Sequence, residues 1–268
     1  MEITFVKMHG NGNDFILIDE YEKTVIPDEM KPQFAQLYCD RRFGIGADGV
    51  LYLSRSGSAD LKMRLFQPDE SEAPMCGNGI RCFAKYAFDT GYVEKSCTVE
   101  TMAGIINVVM DYTDDTFLAT IQMPEPLFNR ADIPATGEGE YRETIEGYMV
   151  YAVNTGVPHA VIFVEDPASF PLIEIGPAIR HHASFPEGAN VNIVKREGED
   201  HISIRTYERG VEDETFSCGT GATAAAAIAR HLGYTGTKVK VDTRGGPLVI
   251  TLGEKTLMEG PAETVFKG

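Results

Sequence analysis

The sequence predicts an α+β fold of two similar domains, each a mostly antiparallel sheet wrapped around a central buried helix. Three observations support this prediction. Two cysteine–glycine motifs each open an apolar helix, an arginine-bearing strand precedes each motif at a similar distance, and many short β-branched runs surround them. The chain has 268 residues, of which 43% are hydrophobic, so it can form one large domain or two smaller ones.

The segments that carry the cysteine motifs repeat along the chain. Arg64 lies in a strand-like run and precedes Cys76 by 12 residues, with an acidic loop between them. Arg205 lies in a similar run and precedes Cys218 by 13 residues, again across an acidic loop. Two further segments each run from a glycine turn into an apolar strand, at 12–19 and 156–164. The sequence therefore predicts an internal duplication.

The duplication divides the chain into an N-terminal domain at 1–120 and a C-terminal domain at 121–268. The segment 123–147 carries three prolines and three glycines and is interpreted as the connection between the halves. The last strands, after Gly245, can close either half, so the final strand is left free to return to the first domain.

Two helices are predicted directly after the cysteines. Residues 77–89 place apolar side chains at helical spacing, and residues 219–232 are mostly alanine with almost no polar face, which is typical of a buried helix. Short β-branched runs predict strands around them, at 3–6, 15–18, 50–53, 61–66, 97–101, 105–110, 161–164, 201–207, 238–242 and 247–251.

Composition excludes several classes of partner. A formal net charge of −16 repels a phosphate backbone and an anionic membrane, so neither nucleic acid nor a membrane is expected. The N-terminus lacks the basic and apolar pattern of a secretory signal, and the run 222–229 is too short to span a bilayer. Five cysteines cannot all pair and no CxxC occurs, so a cytoplasmic protein with reduced thiols and no metal site is expected. A homodimer is left open.

The positions of Cys76 and Cys218 suggest acid–base chemistry. Each stands immediately before a Gly-x-Gly that begins a helix, where the first backbone N–H groups and the positive end of the helix dipole favour a bound carboxylate and a thiolate. If the halves face each other, two thiols flank one ligand in an interdomain cleft. One thiolate then removes a Cα proton while the opposing thiol delivers another to the opposite face. This scheme needs no metal, nicotinamide or aldehyde cofactor.

At this point the residues resemble a known family. The chain resembles diaminopimelate epimerase, of the cofactor-independent amino-acid racemase group, nearly from end to end. The motifs that carry the resemblance are KMHGNGNDF at 7–15, GIGADG at 44–49, MCGNGIRC at 75–82, GVPH at 156–159, FPEGANVN at 185–192, YERG at 207–210 and CGTGA at 218–222.

The resemblance implies an interconversion of LL- and meso-diaminopimelate, a small-molecule substrate of lysine and cell-wall precursor synthesis. It implies that Cys76 and Cys218 are the acid–base pair, with His159 and Glu208 as further catalytic residues. Glu208 is expected to face the α-ammonium group, and Arg209 is expected to pair with the distal carboxylate. The remaining substrate-binding residues implied by the resemblance are Asn13, Gln67, Gly77, Asn78, Asn190, Gly219 and Thr220.

Three positions depart from a common bacterial form of the family. Gly49 replaces glutamine, Gln67 replaces asparagine, and Val157 replaces the asparagine before Pro-His. Gln67 and Val157 fall where the family contacts the distal end of its substrate. A racemase of another amino acid, such as histidine, proline or hydroxyproline, therefore stays open as the alternative with the same mechanism.

Several of these residues and motifs also fit other interpretations. Cys39, Cys82 and Cys97 are expected to be buried core residues, as most cysteines without chemistry are. GIGADG at 44–49 fits a dinucleotide fingerprint, but a strand follows it where a Rossmann turn needs a helix. A cysteine hydrolase with His159 as base, or a two-lobed amino-acid binding protein without catalysis, are the alternatives from other functional classes.

Overall fold

The computed structural model describes residues 2–268, which form two compact units. Unit 1 contains the chain up to Ile121 together with Gly260–Gly268, and unit 2 contains Gln122–Glu259. The final nine residues therefore belong to unit 1. Across residues 2–268, no helix is both long and apolar enough to cross a membrane.

Unit 1 combines two α-helices with a set of paired strands. Its helices are α1 (Lys31–Cys39) and α2 (Gly77–Asp89). Its first eight strands are β1 (Val6–Gly10), β2 (Asn13–Asp19), β3 (Gly49–Ser54), β4 (Leu61–Phe66), β5 (Glu72–Ala73), β6 (Ser96–Thr101), β7 (Gly104–Thr113) and β8 (Thr116–Gln122). The turn between β1 and β2 is Asn11-Gly12, with φ of 53° and 80°, as a two-residue hairpin requires.

Unit 2 has the same number of helices and a similar set of strands. Its helices are α3 (Leu172–Arg180) and α4 (Gly219–His231). Its strands are β9 (Arg142–Ile145), β10 (Tyr148–Asn154), β11 (Pro158–Phe163), β12 (Asn190–Gly198), β13 (His201–Glu208), β14 (Asp213–Thr215), β15 (Lys238–Thr243), β16 (Gly246–Leu252) and β17 (Thr256–Pro261). The last strand of the chain, β18 (Glu263–Lys267), pairs antiparallel with β1 in unit 1.

The strands of the two units share one order of pairing. In unit 1, β1 pairs antiparallel with β2, β2 pairs parallel with β3, and β3 pairs antiparallel with β4. Strand β4 also pairs antiparallel with β5 and parallel with β6. The pairs β6–β7 and β7–β8 are antiparallel. In unit 2, β10 to β17 repeat this pattern step for step, and β9 takes the place that β18 has beside β1. The predicted duplication is confirmed.

The strand register identifies equivalent residues in the two halves. Gly49 pairs with Phe15 in unit 1, and Asn190 pairs with His159 in unit 2. Phe15 is therefore equivalent to His159. One strand further, Arg64 and Arg205 occupy the same position, as the sequence repeat indicated.

The helices after the cysteines lie at the centres of the units. In α4, every residue from Gly221 to Ala229 is buried, and in α2 the residues Asn78 to Ala84 are buried. Short side chains and the absence of a polar stripe allow strands to pack on most sides of α4. Both helices were predicted within one residue. Helix α1 connects the parallel strands β2 and β3, and helix α3 connects the parallel strands β11 and β12. Each of these helices packs in an apolar cluster of its unit.

Two expectations about local structure are wrong. The strand predicted at 3–6 begins only at Val6 and runs to Gly10. The segment 123–147 is not a connection outside the units, because Ile133, Tyr141 and Ile145 are buried in the core of unit 2 and β9 pairs with β10. Its prolines and glycines shape turns that lie against this core.

Candidate active site

Cys76 occupies the N-cap of α2. Its backbone is extended, with φ −139° and ψ 122°, and its carbonyl accepts the first helical hydrogen bond from Ile80 at 2.9 Å. The side chain is partly exposed. This position places the sulfur beside the first turn of the helix, where the helix dipole favours negative charge.

Asn13 lies beside Cys76 at the start of β2. Its Oδ1 accepts hydrogen bonds from Cys76 Sγ at 3.5 Å and from Asn78 Nδ2 at 3.2 Å. Its Nδ2 donates to Asp48 Oδ2 at 2.6 Å. Three of the predicted site residues of unit 1 are thus adjacent: Asn13, Cys76 and Asn78.

Arg81 anchors this group from inside the helix. Its side chain is fully buried and donates to Gly77 O at 3.0 Å, Asn78 Oδ1 at 3.0 Å and Asn11 Oδ1 at 2.6 Å. Burial lowers the pKa of Arg81 from 12.5 to about 10, so the guanidinium stays charged at neutral pH. Sequence reasoning missed this residue.

Cys218 occupies the equivalent N-cap of α4. Its backbone is also extended, with φ −122° and ψ 111°, and its carbonyl accepts from Ala222 N at 2.9 Å. The residue is 7% exposed. Its Sγ lies 3.3 Å from Thr220 Oγ1, where either atom can donate. Cys218 and Thr220, two of the predicted site residues of unit 2, are thus adjacent.

A polar network lies behind Cys218. His159 is fully buried in β11, and its Nδ1 lies 3.0 Å from Asn192 Nδ2, which also donates to Ala160 O at 3.1 Å. Because Asn192 Nδ2 donates, His159 Nδ1 accepts and the ring proton is on Nε2. A Cβ at Gly221 would lie 2.5 Å from Asn192 Oδ1, so this network reaches the first turn of α4.

Burial keeps His159 neutral. Desolvation, and next the positive charge of Arg209, lower the pKa of His159 from 6.5 to about 3. Its Nε2 has no hydrogen-bond partner among residues 2–268. A neutral imidazole with an uncommitted N–H donor is suited to hydrogen bonding rather than to accepting a proton.

The end of β13 carries two predicted binding residues. Glu208 Oε2 accepts from Thr215 Oγ1 at 2.9 Å. Arg209 Nη1 donates to Glu187 O at 3.1 Å and Gly188 O at 3.3 Å. Asn190 is 3% exposed, and its amide joins Pro158 O and Arg209 N, so it orders the backbone beside Arg209.

Gln67 lies in an exposed turn after β4, where its Oε1 accepts from Ser71 Oγ at 3.1 Å. By register Gln67 is equivalent to Glu208 in the second half. Gly77 and Gly219 are the first residues of α2 and α4, where backbone N–H groups have no partner within a helix.

Two residues of these networks lie in motifs of the family resemblance but were not predicted to belong to the site. Asp48 lies within GIGADG, and Asn192 closes FPEGANVN. Cys39, Cys82 and Cys97 are buried as expected, and burial raises the pKa of each thiol to about 12. Across residues 2–268, no three His, Cys, Asp or Glu side chains are grouped as metal ligands.

The chain is similar to known proteins over its whole length. The family model of diaminopimelate epimerase matches residues 5–126 and 151–265. A diaminopimelate epimerase of Methanothrix thermoacetophila is 55% identical, covering 100% of this chain and 95% of the relative. One of Archaeoglobus fulgidus is 49% identical, covering 100% of this chain and 96% of the relative.

Solved structures share the fold at low identity. A PhzF-family phenazine biosynthesis protein of Bacillus anthracis has a TM-score of 0.71 at 17% identity, covering 100% of this chain and 99% of its own. A hydroxyproline epimerase of Agrobacterium vitis, solved with trans-4-hydroxy-L-proline, has a TM-score of 0.64 at 17% identity, covering 99% of this chain and 91% of its own. These solved structures show the fold alone. The family model and the sequence relatives show that the chain belongs to the diaminopimelate epimerase family of isomerases.

Proposed function

We propose that this chain interconverts LL- and meso-diaminopimelate by moving a Cα proton between Cys76 and Cys218. One observation carries the proposal: in a fold repeated strand by strand, both equivalent helix N-caps are cysteines. A duplicated fold preserves two matching sites of this kind most simply when the reaction uses both thiols.

In the proposed reaction each thiol serves one face of the substrate carbon. A thiolate takes the Cα proton from one face, and the opposing thiol gives its own proton to the other face, so the centre inverts. The proton count is unchanged and the two sulfurs exchange protonation states. Charge that develops on the α-carboxylate is stabilised by backbone N–H groups at the starts of α2 and α4, aimed there before the reaction begins.

Binding of the substrate is assigned to both ends of the molecule. We assign Glu208 to the α-ammonium group and Arg209 to the distal carboxylate, whose planar geometry suits a guanidinium. The Arg209 side chain is already ordered by the Glu187 and Gly188 carbonyls, which reduces the entropy lost on binding. Gln67 keeps an amide at the distal end, and Val157 removes one polar contact there.

His159 is assigned a supporting role rather than that of a base. With a pKa of about 3 it is too weak a base to accept a proton at neutral pH. This disfavours the hydrolase alternative, which needs His159 to activate a cysteine. The uncommitted Nε2–H instead provides a neutral donor toward the bound substrate or a sulfur.

The second candidate is a racemase of another amino acid. It is favoured by Val157, because a valine side chain cannot hydrogen-bond a distal ammonium or carboxylate. The arginine at 209 favours diaminopimelate, because simple amino acids such as proline lack a distal carboxylate for it to pair with.

A substrate panel tests the proposal. The purified protein is dialysed and incubated with LL-diaminopimelate, proline, hydroxyproline and histidine, and products are resolved by chiral chromatography. We expect meso-diaminopimelate to appear from the LL isomer and the other three to be unchanged. Turnover of proline, hydroxyproline or histidine without diaminopimelate would replace the substrate, and failure of all four would remove the proposed function.

A further inference from the structure

The orientation of the Asn13 amide is fixed from two independent sides. Asp48 Oδ2 lies 2.6 Å from Asn13 Nδ2, and a carboxylate only accepts, so this side of the amide must be the NH₂. Arg81 only donates, so it fixes the Asn78 amide with Oδ1 toward Arg81 and Nδ2 toward Asn13. Both constraints turn Asn13 Oδ1 toward Cys76.

Asp48 is itself held in place. Its Oδ1 accepts from Arg41 Nη2 at 2.7 Å, and its Oδ2 also accepts from Asp14 N at 3.1 Å. Arg41 reaches across to both oxygens of Asp14, at 3.0 and 2.7 Å. Burial alone would raise the pKa of Asp14, but hydrogen bonds from Arg41 and Lys7 outweigh it and lower the pKa to about 2. The Asp48 carboxylate is therefore held in place by Arg41 and by the backbone of Asp14.

The Asn13 oxygen opposes ionisation of Cys76. The Sγ donates to Oδ1 at 3.5 Å, and an acceptor facing a sulfur stabilises the thiol and repels the thiolate. Two features act in the other direction: the N-terminus of α2 and the charge of Arg81, which interacts with Cys76. Cys82 also interacts with Cys76, and burial raises the pKa of Cys82 to about 12, so that it stays a neutral thiol.

The second half of the repeat has no counterpart of the Asn13 and Asp48 side chains. By register, Asn13 is equivalent to Val157 and Asp48 is equivalent to Ala189. Neither side chain can accept a hydrogen bond. Cys218 Sγ lies 3.3 Å from the Thr220 hydroxyl, which can donate to a thiolate. The repeat is therefore symmetric in backbone and asymmetric in the groups around its two sulfurs.

We propose that Asp48 is a positioning residue that, through Asn13, holds Cys76 as the thiol, so that Cys76 begins the reaction as proton donor and Cys218 as base. The inference rests on the two-cysteine function proposed above. It assigns a role to the GIGADG segment and distinguishes two cysteines that the sequence motifs leave equivalent.

Thiol titration in the substrate-free protein tests this proposal. Iodoacetamide alkylation is followed from pH 5 to 10, with Cys76 and Cys218 resolved by mass spectrometry of their peptides. The pH of half-maximal rate is compared rather than the rate, because Cys218 is the more buried residue. The proteins are wild type, Asp48→Ala, Asn13→Val, which installs the residue of the second half, and Asp111→Ala, which removes an exposed carboxylate of the same unit.

We expect the midpoint of Cys76 to lie above that of Cys218 in wild type and Asp111→Ala. In Asn13→Val it falls by about one pH unit, the equivalent of one hydrogen bond. In Asp48→Ala it falls in the same direction, while the Cys218 midpoint is unchanged in both variants. Circular dichroism identifies any variant that does not fold. If Asp48→Ala does not fold, the comparison of Asn13→Val with wild type decides the result.

A Cys76 midpoint below that of Cys218 in wild type, or one unmoved in both Asn13→Val and Asp48→Ala, would overturn the proposal. The titration contains no substrate, so its outcome is separate from the substrate panel. Diaminopimelate turnover with an unmoved Cys76 midpoint removes the positioning role alone, whereas absent turnover removes the proposed function whatever the titration shows.

Discussion

Arg205 holds Glu214 by two parallel hydrogen bonds, from Nε to Oε1 at 2.8 Å and from Nη2 to Oε2 at 2.9 Å. The equivalent pair in unit 1, Arg64 and Glu72, has the same atom pairing at 2.7 and 2.8 Å. Each pair ties the strand before an acidic loop to the short strand within that loop. The loops that lead to Cys76 and Cys218 are therefore held by equivalent ion pairs in the two halves.

We predict that Glu214→Gln destabilises unit 2 at pH 7 by about 1–2 kcal/mol, the typical loss for a charged hydrogen-bonded pair. Hydrogen bonds from Arg205 lower the pKa of Glu214 below its ordinary 4.5. A depressed folded-state pKa gives stability that is present above pH 4.5 and is lost as pH falls through the folded value. Urea unfolding should show the two proteins converging below pH 4.5. The exposed Glu199→Gln is the control, and equal stability of Glu214→Gln and wild type at pH 7 contradicts the assigned pair.

His159 also makes stability depend on pH, but because its burial prevents protonation in the folded state. In the unfolded chain it binds a proton below pH 6.5, but in the folded protein only near pH 3. The unfolded state therefore gains protons first, and the free energy of unfolding should fall by about 1.4 kcal/mol for each pH unit below 6.5. In His159→Gln this contribution disappears, so its stability declines less between pH 6.5 and 4. Parallel pH profiles of the two proteins would show that His159 is not buried as a neutral base.

The equivalent glycines 221 and 79 should respond differently to alanine. A Cβ at Gly221 meets Asn192 Oδ1 at 2.5 Å and Cys218 Cβ at 3.3 Å, whereas a Cβ at Gly79 meets its nearest atoms at 3.4 Å. We predict that Gly221→Ala lowers the free energy of unfolding by about 1–3 kcal/mol through overpacking, and that Gly79→Ala changes it by less than about 1 kcal/mol. Denaturant unfolding measures both, and a larger loss in Gly79→Ala would contradict the packing described for the two helix starts.

Oxidation tests the proposed shared substrate site. We predict that mild oxidant joins Cys76 to Cys218, stops turnover, and is reversed by a thiol reductant. Cys39, Cys82 and Cys97 should stay unmodified, because they are buried and their pKa values are about 12. Peptide mapping identifies the linked pair. Loss of turnover with Cys76 and Cys218 in separate, unlinked peptides would count against two thiols that serve one carbon.

The helices and the repeat were predictable from local pattern. They depend on short-range features of the sequence: the glycine after each cysteine, the alanine run of α4 and the spacing of the arginines. Strands β8, β9, β10 and β12 and helices α1 and α3 were not predicted, because their apolar faces are defined by neighbours distant in sequence. The short strands β5 and β14 lie in segments that the sequence analysis interpreted as acidic loops. The segment 123–147 looked like a connection for the same reason: only the fold buries Ile133 and Tyr141.

The residues of the candidate site likewise fall into those that local sequence predicts and those that depend on long-range contacts. Cys76 and Cys218 follow from motifs at helix starts, since a helix N-cap can be read locally. Thr220 was named only through the family resemblance. The roles of Asp48 and Asn192 depend on a parallel strand pairing that brings residues more than 30 positions apart into hydrogen-bonding contact. No spacing rule within the sequence predicts such a contact.

The central claim, that both cysteines move the proton, is tested most directly in heavy water. Wild type, Cys76→Ser and Cys218→Ser are each incubated with LL-diaminopimelate in D₂O, and α-deuterium and the meso product are followed by NMR. Wild type should form meso-diaminopimelate with deuterium at the inverted centre, and each variant should lose about 10²-fold or more of this rate, because serine is a far poorer acid and base than cysteine. Full epimerisation by either variant would contradict the account.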